Sequence, residues 1–215
     1  MTVQSPIPDF AAAREAMVES QLRPQGVTDA GVLDAMGKIA REKFLPSHTR
    51  PLAYADRAVA LSDGRFLPAP AVLGQLLTQM RPEPGQRALV VGAGTGYSAA
   101  VLSAMGLRVT AIESDVELLQ STGPGATVTQ GGLEEGAPNE GPFDQILIDG
   151  AVGFIPDALV AQLADGGRLG TALIDRGVTR LIIGRKAGDA FGYLSIGDAG
   201  VPALPGFSRP PAFSF

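Results

Sequence analysis

The sequence predicts an α/β fold: a doubly wound, mainly parallel sheet with an N-terminal helical cap and antiparallel C-terminal strands. Three observations predict it. From residue 88 onward, short apolar runs with strand character alternate with helix-compatible segments, the pattern of a parallel sheet covered on both faces. One run, Ala88–Val91, enters a tight glycine cluster at Gly92, Gly94 and Gly96, and a helix-compatible segment, Tyr97–Met105, follows directly. Before residue 80 the apolar spacing is helical instead.

In chain order, Asp9–Leu22 reads as an amphipathic helix capped by Asp9, with Phe10, Ala13 and Met17 on its apolar stripe. Thr28-Asp29 opens a second short helix carrying Val32, Leu33 and Met36. Ser62–Pro70 reads as a loop, because Pro68 and Pro70 remove backbone donors and fix φ. It delivers the chain into a helix over Ala71–Met80. After the glycine cluster come a strand at Arg108–Glu113, a short helix at Val116–Gln120, and strands at Ala126–Thr129 and Phe143–Asp149. A helix over Ile155–Leu163 meets Gly166-Gly167, expected to be its C-cap. Arg168–Ile174, Val178–Arg185 and Phe191–Ile196 are the closing strands, and the aromatic tail is expected to form an edge strand that tucks Phe213 and Phe215 inward.

The 215 residues, 45% apolar and 18% charged, suffice for one α/β domain with a substantial core. The expected organisation is a single domain, 1–80 forming the cap and approach loop and 81–215 the ligand-binding sheet. A formal charge of −5 without a Lys/Arg cluster argues against a nucleic-acid partner. The absence of cysteine removes disulfides, thiolate catalysis and thiolate metal sites. The N-terminus has no signal-peptide pattern and no apolar run is long enough to span a bilayer, so the expectation is a cytoplasmic protein without a membrane partner. The sequence gives no oligomeric state.

Strand, glycine turn and helix let a backbone approach a nucleotide-like ligand closely. The spacing here is G-x-G-x-G, with Tyr97 where a dinucleotide fold has its third glycine. That favours an adenosyl ligand with an amino-acid tail, such as S-adenosylmethionine, which has no diphosphate to seat. Glu113, at the tip of the next strand, stands where a carboxylate would hold a ribose diol. Asp149 ends a later strand on the same side, where open α/β sheets place ligand groups; its alternative role is turn formation with Gly150.

With these residues the chain resembles the protein-L-isoaspartate O-methyltransferases, within the Rossmann-like class I S-adenosylmethionine-dependent methyltransferases. The resemblance runs through Met17–Leu22, Val32–Met36, Arg41–Pro46, Ala53–Asp56, Gly92–Leu102, Phe143–Asp149 and Ile155–Leu169, in the family's order. It implies methyl transfer to the α-carboxylate of isoaspartyl residues in damaged proteins, with S-adenosylhomocysteine as product. It places the cofactor against Gly92, Ala93, Gly94, Gly96, Tyr97, Glu113, Gly132, Leu133 and Asp149, and the substrate near Asp56, Arg65 and Pro68.

Three positions depart from the family pattern. Pro68 stands where the substrate loop carries serine, Val90 where an acid precedes the glycine motif, and Gly131-Gly132-Leu133 where Gly-Asp-Gly is usual. Two alternatives therefore stay open: a methyltransferase with a different acceptor, and a non-catalytic interaction protein. No catalytic residue is assigned. A carboxylate acceptor is ionised at neutral pH and needs no general base, so a chain with one histidine can run the reaction. That histidine, His48, reads as a surface residue, Tyr97 equally as a buried aromatic, and Arg65 either as a partner for a substrate carboxylate or as a solvated charge.

Overall fold

The computed structural model describes residues 9–120, 122–125 and 127–208. The expected edge strand at Phe213 and Phe215 lies outside them. Helix α1 (Phe10–Met17) begins at Asp9, whose carboxylate accepts from the Ala11 and Ala12 amides at 3.1 Å. It runs on into one π-helical turn to Leu22, close to the sequence boundary. Helix α2 (Ala30–Lys38) is capped in the same way by Asp29, which accepts from Val32 N at 2.9 Å.

The stretch expected as a loop holds a small hairpin. Strand β1 (Val59–Ser62) pairs antiparallel with β2 (Arg65–Leu67) across the Asp63-Gly64 turn, and the two form a sheet of their own. Helix α3 (Pro70–Met80) then places its proline in the first turn, where no donor is lost.

Among the described residues the main sheet has seven strands: β3 (Arg87–Val91), β4 (Arg108–Glu113), β5 (Thr129–Gln130), β6 (Phe143–Val152), β7 (Leu163–Asp175), β8 (Val178–Ala187) and β9 (Ala190–Asp198). Their spatial order is β5-β4-β3-β6-β7-β8-β9. The first five pair in parallel, and β7, β8 and β9 form an antiparallel meander at one edge. Helices α4 (Tyr97–Ala104), α5 (Val116–Gln120) and α6 (Asp157–Ala161) fill the crossovers. Strand β5 begins at Thr129, later than expected. Gly166 and Gly167 lie inside β7 rather than capping α6, which ends at Ala161.

Strand β3 shows how the period-2 pattern builds the core. Ala88 and Val90 face one hydrophobic cluster, shared with α2, α3 and α4, while Leu89 and Val91 face the other, shared with α6 and Phe207. Both faces are covered, so the run is continuously apolar. Val90, where the family pattern has an acid, is a fully buried core residue.

Candidate functional site

The C-terminal ends of β3, β4 and β6 converge with the β1–β2 hairpin. After β3 the amides of Gly92 and Ala93 both donate to the Ile112 carbonyl at 3.0 Å, fixing the turn against β4. Gly94, at φ 56°, aims its amide at Glu113 and donates to Oε2 at 2.7 Å. That left-handed conformation favours glycine. Gly96 closes the turn as the N-cap of α4.

Glu113 is completely buried. Its Oε1 accepts from the Ser114 amide at 2.8 Å and the Asp115 amide at 3.1 Å. From β2, Arg65 donates Nη1 to Oε1 and Nη2 to Oε2, the latter at 2.7 Å; Nη2 also donates to the Gly92 carbonyl at 3.1 Å. Burial would push the Glu113 carboxyl up, but Arg65 and the surrounding amides outweigh it and hold the carboxyl below the ordinary value. The reading of Arg65 as a solvated charge is corrected. It is 5% exposed, so it is no solvated charge, and its guanidinium is engaged by the chain's own carboxylate because the hairpin folds across the end of β4.

Asp149, on β6, accepts from Ser98 Oγ of α4 at 2.5 Å. Burial pushes its carboxyl up to about 6, against the downward pull of Ser98, Arg41 and Arg65. Beside it, Tyr97 is fully buried, edge-on to Phe44 with ring centres 5.4 Å apart. Among the described residues its hydroxyl has no hydrogen-bond partner.

Two cavities of unequal size adjoin the neighbours of Glu113. On the Ser114 side, Ser114, Gly132, Leu133, Phe154 and Pro156 help line a space of about 710 Å³. On the hairpin side, the space among Arg65, Pro68, Asp149, Gly150 and Leu204 is about 10 Å³, room for no more than about one water. Leu204 arrives on a C-terminal strap that follows the end of β6, its amide donating to the Ala151 carbonyl at 2.7 Å.

The remaining candidates separate from this group. Asp56 is exposed and accepts from Gln25 Nε2 at 2.5 Å, so its partner is outside the cleft. His48 is exposed in a turn. Arg41 was not singled out in the sequence, yet its buried guanidinium donates to the carbonyls of Ala53, at 2.8 Å, and Pro68, at 2.5 Å. The available signal was a short charged run, Arg41-Glu42-Lys43, set between the apolar pairs Ile39-Ala40 and Phe44-Leu45. Among the described residues, no cluster of three or more His, Asp or Glu could hold a metal ion.

A glycine turn facing a strand-end carboxylate, beside a cavity of small-molecule size, suits a nucleoside with a short polar tail. Residues 12–190 match the family model described as protein-L-isoaspartate(D-aspartate) O-methyltransferase. A protein-L-isoaspartate O-methyltransferase of Methylorubrum populi is 41% identical over 74% of this chain and 78% of its own length. One from Methylorubrum extorquens is 38% identical over 95% and 94%. In fold, the chain is similar to a Plasmodium falciparum protein, described as a potential member of that family in complex with S-adenosyl-L-homocysteine. The TM-score is 0.72 at 21% identity, over 92% of this chain and 99% of that one.

Proposed function

We infer the reaction from one premise: the chain belongs to the protein-L-isoaspartate(D-aspartate) O-methyltransferase family. It is an S-adenosylmethionine-dependent methyltransferase that esterifies the α-carboxylate of isoaspartyl residues in damaged proteins. The observation that carries the site is the Gly94–Glu113 pairing beside the cavity at Ser114, Gly132 and Leu133.

The residue types fit this cofactor. Gly92, Ala93, Gly94 and Gly96 leave the close approach an amino-acid tail needs, Glu113 is an acceptor for two ribose hydroxyls, and the cavity at Gly132 and Leu133 has room for a nucleobase. When bound, S-adenosylmethionine supplies an electrophilic methyl on a sulfonium. The acceptor carboxylate would form the O–CH₃ bond with one of its own lone pairs as the C–S bond breaks, and the C–S bonding pair would remain on sulfur in S-adenosylhomocysteine. No proton moves, which matches a cleft without histidine. The protein's work is alignment and exclusion of water, from the hairpin, Pro68 and the strap.

No described helix is long and apolar enough to cross a membrane, and the proposal places the enzyme in the cytoplasm, among the damaged proteins it acts on. Pro68, buried where the family pattern has serine, favours a second reading, a methyltransferase with another acceptor. Radiolabelled S-adenosylmethionine with an isoaspartyl peptide, against the same peptide carrying ordinary aspartate, tests the first. Base-labile label in the isoaspartyl peptide alone is expected; its absence with cofactor bound moves the assignment to the second.

A further inference from the structure

Glu113 is the group that the proposed cofactor cleft offers to the ribose hydroxyls, and both of its oxygens are already engaged by Arg65. We propose that Arg65 is an internal occupant of the ribose position, so that cofactor binding must displace its guanidinium and lift the β1–β2 hairpin. The inference rests on the reading of the cleft as an S-adenosylmethionine site. A guanidinium matches a carboxylate with two parallel donors, the same demand a vicinal diol makes, so the two compete for one acceptor.

Arg65 does not act alone. Its Nη2 also holds the Gly92 carbonyl, and Leu61 of β1 lies over Gly94, its Cδ1 2.8 Å from where a Cβ would stand. Ser62 Oγ donates to Asp115 Oδ2 at 2.9 Å. Three hairpin residues thus close over the glycine turn and the end of β4. The space beside Ser114, Gly132 and Leu133 stays open at about 710 Å³, while the space between Arg65, Pro68 and Asp149 is about 10 Å³. Leu204 also lies against Gly92, but its methyls can turn aside, whereas the ion pair has to break.

The hairpin is held to the rest of the fold by side chains, with Val59, Leu61 and Leu67 set into the larger hydrophobic cluster, rather than by strand pairing. Its strands are four and three residues long, and they pair with each other rather than with the seven-stranded sheet. Lifting it breaks no ladder bond of that sheet, and its cost is the ion pair together with the exposure of Val59, Leu61 and Leu67. Beyond β2 the chain passes directly to Pro68, whose carbonyl is tied to Arg41. Displacing Arg65 therefore moves the hairpin up to that tether and leaves Pro68 held in the acceptor approach.

Calorimetric titration with S-adenosylhomocysteine tests this on the wild-type chain and on Arg65→Gln. Because only the open fraction binds, Arg65→Gln is expected to bind roughly tenfold more tightly or better. Hydrogen exchange on the wild-type chain provides a second readout that needs no variant to fold. Saturating S-adenosylhomocysteine should speed exchange of the amides of residues 59–67. Equal or weaker binding by Arg65→Gln, or protection of those amides, overturns the latch while leaving the cofactor assignment intact. If neither chain binds at millimolar concentration, the cleft assignment falls, and the latch with it. Glu113→Gln should abolish binding in both backgrounds.

Discussion

The guanidinium of Arg41 lies over the ring of Tyr97, 4.9 Å from its centre, in a fully buried setting. It joins three segments: the 3₁₀ turn that carries it, the Ala53 carbonyl and the Pro68 carbonyl of the approach loop. Among the described residues no carboxylate lies within ion-pair distance of it, so its charge is met by carbonyl dipoles and the ring face. Burial lowers its pKa accordingly.

Replacing Arg41 with alanine removes two charge-assisted bonds and strands two buried carbonyls. The expected destabilisation is about 3 kcal/mol or more. Urea denaturation should show a lower midpoint with an unchanged slope. A loss under about 1 kcal/mol would mean that water takes over both carbonyls and that Arg41 does not organise the loop.

Asp149 predicts a pH dependence with a definite sign. Its carboxyl is raised to about 6 in the folded protein from an ordinary value of 3.8, mainly by burial. Between those values the folded state binds more protons than the unfolded one, so stability falls as pH rises through that window. A shift of this size corresponds to roughly 3 kcal/mol. Asp149→Asn removes the group, so the wild-type minus variant stability should drop as pH rises from 3.8 to about 6 and level off above that. A flat difference over that range would show that Asp149 is not held in the protonated form.

Elements defined by local chemistry were legible in the sequence. Asp9 and Asp29 are side-chain caps readable from spacing alone, and the β3–turn–α4–β4 unit is announced by an apolar run, three glycines and a terminal acid. The β1–β2 hairpin was not, because strands of three or four residues carry little periodicity. Asp63-Gly64, a tight-turn dipeptide, was the available signal. Gly166-Gly167 misled for the opposite reason: two glycines suggest a helix end, yet here they sit within β7, where a Cβ on Gly167 would meet the Phe143 carbonyl at 3.0 Å. The Arg65–Glu113 pair joins residues 48 apart, and no local pattern could encode that closure.

Pro68 offers a gain-of-function test. It is buried beside Asp149 and Gly150 at the position the family pattern gives to serine. Pro68→Ser keeps the carbonyl that Arg41 holds and adds a hydroxyl facing the acceptor side. The stability cost should stay near 1 kcal/mol, from the greater freedom of the unfolded chain. A rise in kcat/KM on an isoaspartyl peptide would show that the hydroxyl contributes to that reaction. An unchanged value would mean that the proline-containing loop has its own way of holding the substrate.

The Arg65–Glu113 pair predicts an asymmetric double-mutant cycle. Glu113 receives the Gly94, Ser114 and Asp115 amides as well as Arg65, so Glu113→Gln sets an amide donor against other donors and leaves a buried guanidinium without its counter-charge. Its expected cost is about 3–5 kcal/mol. Arg65→Gln leaves Glu113 with its three backbone amides and should cost less, about 1–3 kcal/mol. The double variant should fall short of the sum by about 1–3 kcal/mol, the coupling of a contacting pair. The Glu113 carboxyl is held below its ordinary value of 4.5, so the stability it contributes is present above that pH and lost as pH falls through the folded value. Because the pair is buried, the coupling should survive 0.5 M salt, which would largely screen an exposed pair. Additive single variants would show that the two side chains are adjacent without depending on one another.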